Sequence, residues 1–443
     1  MVNLLKKGFI YLALMLLVLG SFSMESAHAE TAEWNPGEQY FKGDYDYKAA
    51  QPAGLNWNRQ SSFNSIDLNP RIKWIHTLPG SSTRFFDGTP VIGKDGSIYI
   101  KQRDSLYAFN PDGSVKWKND TPRIAGVSIG HDGTLFAGNK ALNPDDGSVK
   151  WSVYGNSIST PAIGNGVIYT VIDNRLMALD YGKGSVIWST PDLIPYSAES
   201  PSPVVSSDGT IYLSTEAPND SYSFLYAFDK DGKEKWKYPY KQGRGGTLVP
   251  TIGPDGTIYT IKDTILYAIT PNGELKWKIE KTKGISQVAV SKDDVIYLAS
   301  LDYNLYAINT DGSEKWKKSI GSMVKGTPII DNNGNIIVTD HSGKLLSMND
   351  LGVTNWTLQI GSTSSSSPSI DKDGTIYIGT SYSFVAVTGD KNANQSCSIY
   401  DIIDDLLENP QTKEDIERAK SYINNIKNKV NDWESKINEY ENK

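Results

Sequence analysis

Short apolar runs separated by polar turns fill the chain from about residue 67 to 390, and inside most runs apolar and polar positions alternate. That period of two predicts half-buried β-strands rather than helices. The stretch 89–118 shows the grammar in full. Thr89-Pro90-Val91-Ile92 is an extended run with its proline near the start, where a missing N–H is tolerated. Lys94-Asp95-Gly96-Ser97 follows as a hairpin turn, in which Asp95 and Gly96 are both expected to take positive φ. Ser97-Ile98-Tyr99-Ile100 makes a second strand and Leu106-Tyr107-Ala108-Phe109 a third. After Pro111-Asp112-Gly113, the segment Val115-Lys116-Trp117-Lys118 makes a fourth.

This four-strand unit returns at intervals of about forty residues, each copy closing on a tryptophan: Trp74, Trp117, Trp151, Trp188, Trp236, Trp277, Trp316 and Trp356. First hairpins recur at Asp132-Gly133, Asn165-Gly166, Asp208-Gly209, Asp255-Gly256, Asp293-Asp294, Asn333-Gly334 and Asp373-Gly374. A period of this length with four strands per copy marks a β-propeller, in which each sheet is a blade. The small alanine of the third strands is read as letting sheets approach, and the tryptophan as covering the gap between blades. The ends fix the blade number. The pattern begins with a lone fourth strand, Arg71-Ile72-Lys73-Trp74, and finishes with three strands, 367–370, 375–378 and 384–387, that lack a tryptophan strand. Three plus one make a whole blade, so the prediction is all-β: an eight-bladed propeller closed by its N-terminal strand, with a small C-terminal α-helical hairpin.

The phrase LYAFNPDGSVKW at 106–117, its eight copies, and the segment Leu55-Asn56-Trp57-Asn58-Arg59 resemble the pyrroloquinoline-quinone-like (PQQ-like) propeller repeat proteins over roughly residues 55–390. The resemblance is specific for fold and unspecific for function, because that family divides between quinoprotein dehydrogenases and non-enzymatic scaffolds. The scaffolds include the propeller lipoprotein of the outer-membrane β-barrel assembly machine. The enzymes hold a quinone against a calcium ion in the channel, beside a disulfide between adjacent cysteines and a tryptophan. This chain has one cysteine, Cys397, and no acidic–asparagine–acidic set assignable to the ion, and its eight repeat tryptophans are assigned to packing. The resemblance therefore implies the non-enzymatic branch and no cofactor.

Composition adds an address. Lys6 and Lys7 precede an apolar run from Gly8 to Phe22, and Ala27-His28-Ala29 offers a cleavage site, so residues 1–29 read as an export signal. The run is short for a membrane span, although an uncleaved anchor is the alternative. With the signal go Lys6, Lys7 and Glu25, taking 44 basic and 51 acidic residues to 42 and 50, a net charge of −8. An acidic surface argues against a nucleic-acid partner. Cys397 reads as a small apolar side chain, or as half of an intermolecular bridge.

Candidate chemistry is sparse. His76 lies on a tryptophan strand, His131 precedes a hairpin, and His341 sits in a second-to-third strand loop, where a triad would need partners from other blades. Asp371-Lys372-Asp373-Gly374-Thr375 resembles a calcium loop, but it lacks the closing glutamate and hairpin geometry explains it. Binding is expected on the face that carries the second-to-third loops and the bridges between blades, because these vary while the opposite turns are nearly identical. The bridge 189–200 and the loop 215–224 present Tyr196, Tyr222 and Phe224 beside Glu199, Glu216 and Asp220, a set suited to a sugar or peptide unless the aromatics pack on themselves. Arg84, Arg123, Arg244, Lys283 and Lys325 each precede an innermost strand. Converging at one channel mouth, they would attract an acidic glycan or a carboxylate-rich peptide; pointing outward, they are ordinary solvated side chains.

Beyond Gly389 the grammar changes. Residues 391–397 are a polar linker, and 398–443 read as a helical tail. Its second helix keeps a heptad with Ile416, Ile423, Val430 and Ile437 at one position and Ala419, Ile426, Trp433 and Tyr440 at the other. The first reading packs that seam back on Ile402, Ile403, Leu406 and Leu407. Self-association or a partner helix is the alternative. Residues 30–66 read as an irregular lead-in, of which 30–54, rich in Tyr, Gly and Asp, is expected to cross the ring. The whole describes an exported scaffold at the cell envelope that binds an envelope protein or a glycan, with a carbohydrate-active enzyme or a degenerate quinoprotein as runner-up.

Overall fold

The computed structural model describes residue 61 and residues 65–389, apart from 67–68, 78–85, 87, 103–104, 121–125, 158, 165, 194–200, 216–222, 241–248, 281–287, 325 and 362–365; it also describes Lys420. The export signal, the linker and the helical tail lie outside the described residues, Lys420 apart.

The described strands form eight four-stranded antiparallel sheets. The first strand, β1 (Arg71–Thr77), belongs to the last sheet. The first complete blade is β2 (Val91–Ile92), β3 (Ile98–Gln102), β4 (Ser105–Phe109) and β5 (Val115–Asn119), paired in that order. Blades 2 to 7 repeat it over 127–152, 162–189, 204–239, 251–280, 289–319 and 329–359. Blade 8 has three strands of its own, and its outermost place is filled by β1. There Trp74 lies opposite Ala386, Ile75 opposite Val385 and His76 opposite Phe384, as the end-counting argument predicts.

The first hairpins differ from expectation in one respect. Gly96 alone takes a positive φ, 81°, and the loop has three residues, closed by Gly93 N–H to the Ser97 carbonyl at 2.7 Å. Asp95 keeps an ordinary φ and accepts the Ser97 N–H at 3.0 Å and the Ser97 hydroxyl at 2.7 Å. Its carboxylate caps the turn, so aspartate is selected for its acceptor rather than for left-handed backbone.

Every tryptophan strand carries a bulge one residue before the indole. In β5 the pairs are Ala108 with Trp117 and Phe109 with Val115, which leaves Lys116 unpaired across the ladder. The bulge re-aims that side chain: Lys116 Nζ reaches Asp95 Oδ2 at 3.1 Å, and Lys276 reaches Asp255 Oδ2 at 3.1 Å. Lys150 and Lys235 reach the corresponding threonines, Thr134 at 2.6 Å and Thr210 at 2.8 Å. Blade 3 puts Ile187 at this position and leaves it 54% exposed.

The alanine of each third strand sits directly across from the indole and makes room for it, as in Ala141–Trp151 and Ala227–Trp236; Ser347 serves Trp356. The indole then leans on the following blade. Nε1 of Trp74 donates to the Pro111 carbonyl at 3.0 Å, Trp188 to Lys230 at 2.9 Å, and Trp316 to Asp350 at 2.8 Å. In each of these third-to-fourth turns a left-handed glycine lies under the ring. A Cβ at Gly113 would stand 2.6 Å from Trp74, and one at Gly232 would stand 2.6 Å from Trp188. Apolar clusters lie between sheets rather than within one. One joins blades 6 and 7 through Ala299, Leu305, Ile336 and Val338, and another joins blades 8 and 1 through Phe384, Tyr377, Ile98 and Phe109. Each fully buried isoleucine or phenylalanine contributes about 1.5–3 kcal/mol relative to exposure. Stability is thus distributed round the ring.

Candidate functional site

The antiparallel order puts first-to-second and third-to-fourth turns at one end of the ring, and second-to-third loops with the bridges at the other. On the constant-turn end, the hairpins of blades 4 and 5 flank a crevice of about 200 Å³ lined by Ser206, Asp208, Tyr212, Pro254 and Pro271. Burial, then the Asp208 charge, pushes Tyr212 up to about 12, so it is a neutral donor at physiological pH.

The variable end is less uniform. Blade 3 turns on Asp173-Asn174, both left-handed at φ 45° and 65°. Blade 4 uses nine residues, 215–223, whose base is pinned where Thr215 N–H donates to the Phe224 carbonyl at 2.9 Å. Phe224 packs on Tyr226 at 5.6 Å between ring centroids, and Lys237 Nζ lies 5.5 Å over the Phe224 ring. Its face is therefore occupied by its own blade. Behind it, Tyr240 is fully buried and bridges blades 4 and 5, with its hydroxyl 2.8 Å from Ser214 Oγ and 2.7 Å from Thr260 Oγ1. Burial pushes the Tyr240 phenol well up, which keeps it a neutral hydrogen-bonding group.

Of the residues singled out from the sequence as ligand contacts, Phe224 is the one described. Arg84, Arg123, Tyr196, Glu199, Glu216, Tyr222, Arg244, Lys283 and Lys325 lie outside the described residues, and the channel-mouth arrangement of the five cations with them.

Sequence patterns did not reveal a second feature at this end. Where blade 7 passes from its second to its third strand, Thr339 and Asp340 are each 1% exposed, and Thr339 Oγ1, Asp340 Oδ2 and His341 Nδ1 are buried atoms without a hydrogen-bond partner. Gln102 Nε2, at the same end of blade 1, is a fourth. Unmatched buried polar atoms cost free energy, so native folds keep few. Aspartate, histidine and serine are consecutive here, yet Ser342 Oγ donates to Asp340 Oδ1 at 2.6 Å and His341 Nδ1 meets neither, so no relay is formed. The other Asp340 contacts are turn contacts: Oδ1 accepts the N–H groups of Ser342 at 2.9 Å and Lys344 at 3.0 Å, and Oδ2 faces the Lys344 ammonium at 3.9 Å. Among the described residues, no three of His, Cys, Asp and Glu gather in a metal-ligating group. None of the described residues forms a helix long and apolar enough to cross a membrane.

Known proteins resemble this chain in sequence or in fold. Residues 88–259 and 262–395 match the family described as outer membrane protein assembly factor BamB. The uncharacterized protein YxaL of Bacillus subtilis (strain 168) is 36% identical over 104 residues, covering 23% of this chain and 24% of its own. Outer membrane protein assembly factor BamB of Moranella endobia (strain PCIT) is 25% identical over 241 residues, 47% of this chain and 59% of that one. The chain thus matches less than two thirds of the length of either relative. Quinohemoprotein alcohol dehydrogenase from Comamonas testosteroni superposes with TM-score 0.62 at 13% identity, over 80% of this chain and 84% of that one, a likeness of fold alone. With the family match extending over more than half of its length, the chain belongs to the PQQ-like propeller family described as outer membrane protein assembly factor BamB.

Proposed function

We propose that this protein is an exported, non-enzymatic scaffold that binds a partner protein of the cell envelope on its variable-loop end. One observation carries the reading: of the four buried polar atoms with neither a hydrogen bond nor an ion pair among the described residues, three, on Gln102, Thr339 and His341, lie at that end. A partner that supplies donors and acceptors there relieves a standing deficit, which favours binding over a bare surface. The relative named as an assembly factor, at 25% identity, supports a binding role without specifying the partner. The export signal at 1–29 supports an extracytoplasmic location, and the heptad of the tail supports a second contact, with a partner helix.

Affinity capture from envelope extracts tests the reading. The intact chain is compared with a loop variant (216–222 replaced by Gly-Ser, with Asp340→Asn and His341→Ala) and with a chain ending at residue 397. Loss of the captured proteins in the loop variant alone supports the ring face. Retention in the loop variant, with loss on truncation, moves the function to the tail and overturns the proposal.

A further inference from the structure

The outermost strands of the eight blades share one arrangement, and blade 3 departs from it. At the bulge before the indole, six of these strands carry lysine and that of blade 7 carries Asn355. An outermost strand is a sheet edge with unused backbone N–H and C=O groups, and a charged side chain on it discourages pairing with another chain. Blade 3 has Ile187 at that place. Its strand, Val186-Ile187-Trp188-Ser189, holds no charged residue. The blade 7 strand holds none either, but its Asn355 is polar and donates to Asn335 Oδ1 at 2.9 Å.

The missing lysine has a local reason; the isoleucine has none. Lysines at this position reach the aspartate or threonine of the first hairpin, as Lys116 and Lys150 do, whereas Asn165-Gly166 of blade 3 supplies no carboxylate. A small polar residue would serve there without leaving apolar surface in water. Instead Ile187 is 54% exposed and Val186 50%. A regular strand would send these neighbours to opposite faces, but here both stay in water beside the bulge. Trp188 turns away, donating from its indole to the Lys230 carbonyl on blade 4 at 2.9 Å. Among the described residues, no backbone group of 186–189 pairs outside its own sheet.

The surroundings favour a like surface. The flanking charges are answered within the chain, Arg175 by Asp192 at 2.5 Å and Lys230 by Asp231 at 3.0 Å. On a chain of net charge −7, a neutral apolar edge is where a second copy approaches at least electrostatic cost.

We propose that this strand pairs antiparallel with the same strand of a second copy of the chain, about a two-fold axis, so that two third blades become one eight-stranded sheet. An antiparallel edge is self-complementary under that symmetry: the unused N–H and C=O groups of each copy meet those of the other, and Val186 and Ile187 of both are covered together. Four residues a side fall short of the roughly 1,200 Å² that stable complexes bury, so the dimer is weak and forms as concentration rises. The contact is on the rim of the ring and is independent of a partner on the variable loops.

Sedimentation velocity of the full chain from about 10 μM to about 1 mM tests it. The wild type shifts from one copy towards two, and amide hydrogen exchange at 186–189 slows over the same range. Ile187→Lys, which restores the residue of the other strands, stays monomeric, with fast exchange at 186–189 and an unchanged Tm. Val430→Asp, in the heptad of the tail, dimerises as the wild type does. A wild type that is monomeric at about 1 mM overturns the proposal and leaves this edge to a foreign strand or to water. A dimer that survives Ile187→Lys overturns it too, and its loss in Val430→Asp would assign that dimer to the tail.

Discussion

The indole Nε1 of Trp356 donates to the carbonyl of Ile66, 290 positions earlier, at 2.7 Å. The other seven tryptophans find that acceptor in the third-to-fourth turn of the next blade. Blade 8 has no such turn, because its fourth strand is β1. The residues leading into β1 stand in for it, and they are secured to blade 7: Ser61 N–H donates to the Ile330 carbonyl at 2.7 Å, and Ser65 donates to Asp331 Oδ2 through N–H at 3.1 Å and through its hydroxyl at 2.7 Å. Asp331 is 0% exposed. Asp331→Ala is therefore expected to cost about 2–4 kcal/mol, because charge-assisted bonds are lost and their donors left buried. Ser65→Ala should cost about 1 kcal/mol. Urea unfolding of the two variants checks the order, and an Asp331→Ala protein as stable as wild type would show that the lead-in does not secure the ring.

Glycine substitutions separate backbone strain from the indole contact. Gly232 and Gly334 have φ of 81° and 84°, but a Cβ at Gly232 meets Trp188 at 2.6 Å and one at Gly334 meets nothing within 4 Å. Gly334→Ala should cost about 1–2 kcal/mol from conformation alone. Gly232→Ala should cost at least about 1 kcal/mol more, since the indole must shift. Equal Tm losses for the pair would remove the tryptophan from the account of blade packing.

The ring closure carries a pH dependence. His76 lies on β1 opposite Phe384, with its ring 4.9 Å from Phe109, and burial lowers its pKa from the ordinary 6.5. Protons then bind the unfolded chain more readily than the folded one. Its contribution is complete above pH 6.5 and is lost as pH falls through the lowered folded value. Thermal scans should show stability declining below about pH 6.5, with the step reduced in His76→Phe. The first-hairpin carboxylates act in a lower window. Burial opposes their ionisation, yet hydrogen bonds and the lysines hold Asp95, Asp132 and Asp208 below 3.8, so their contribution is lost only in stronger acid.

The expected attraction for anions has its own measurement. Arg84→Glu, Arg123→Glu and Arg244→Glu together should weaken binding of a carboxylated polysaccharide such as polygalacturonate and flatten its salt dependence. An unchanged salt slope would dispose of a cationic channel mouth.

The eight-fold grammar was legible because its residues serve local geometry: Asp-Gly turns, alternating strands and the lone Trp74 strand specify the sheets and their closure. Ile66 was not legible, since the acceptor is a backbone carbonyl and no side chain marks it. The lysine before each tryptophan was visible as a letter, but the bulge that aims it at the first hairpin comes from register across two strands. Thr339 and Gln102 went unnoticed because their significance is the lack of a hydrogen-bond partner, which depends on neighbours from other parts of the chain. Phe224 was read as a contact residue from its place in a long loop, and cross-strand packing on Tyr226 with Lys237 above it shows the competing use.

The pairing of Thr77 with Ser383, 306 residues apart, also sets a timetable. The opening strand leaves the ribosome some 300 residues before its partner and must wait, without its permanent neighbour, until the last blade has been made. Meanwhile the growing arc has two raw ends able to join strangers. Such distant pairing is slow to find. Resistance to proteases should consequently arrive in a single late step once the last blade has emerged, rather than accumulate blade by blade.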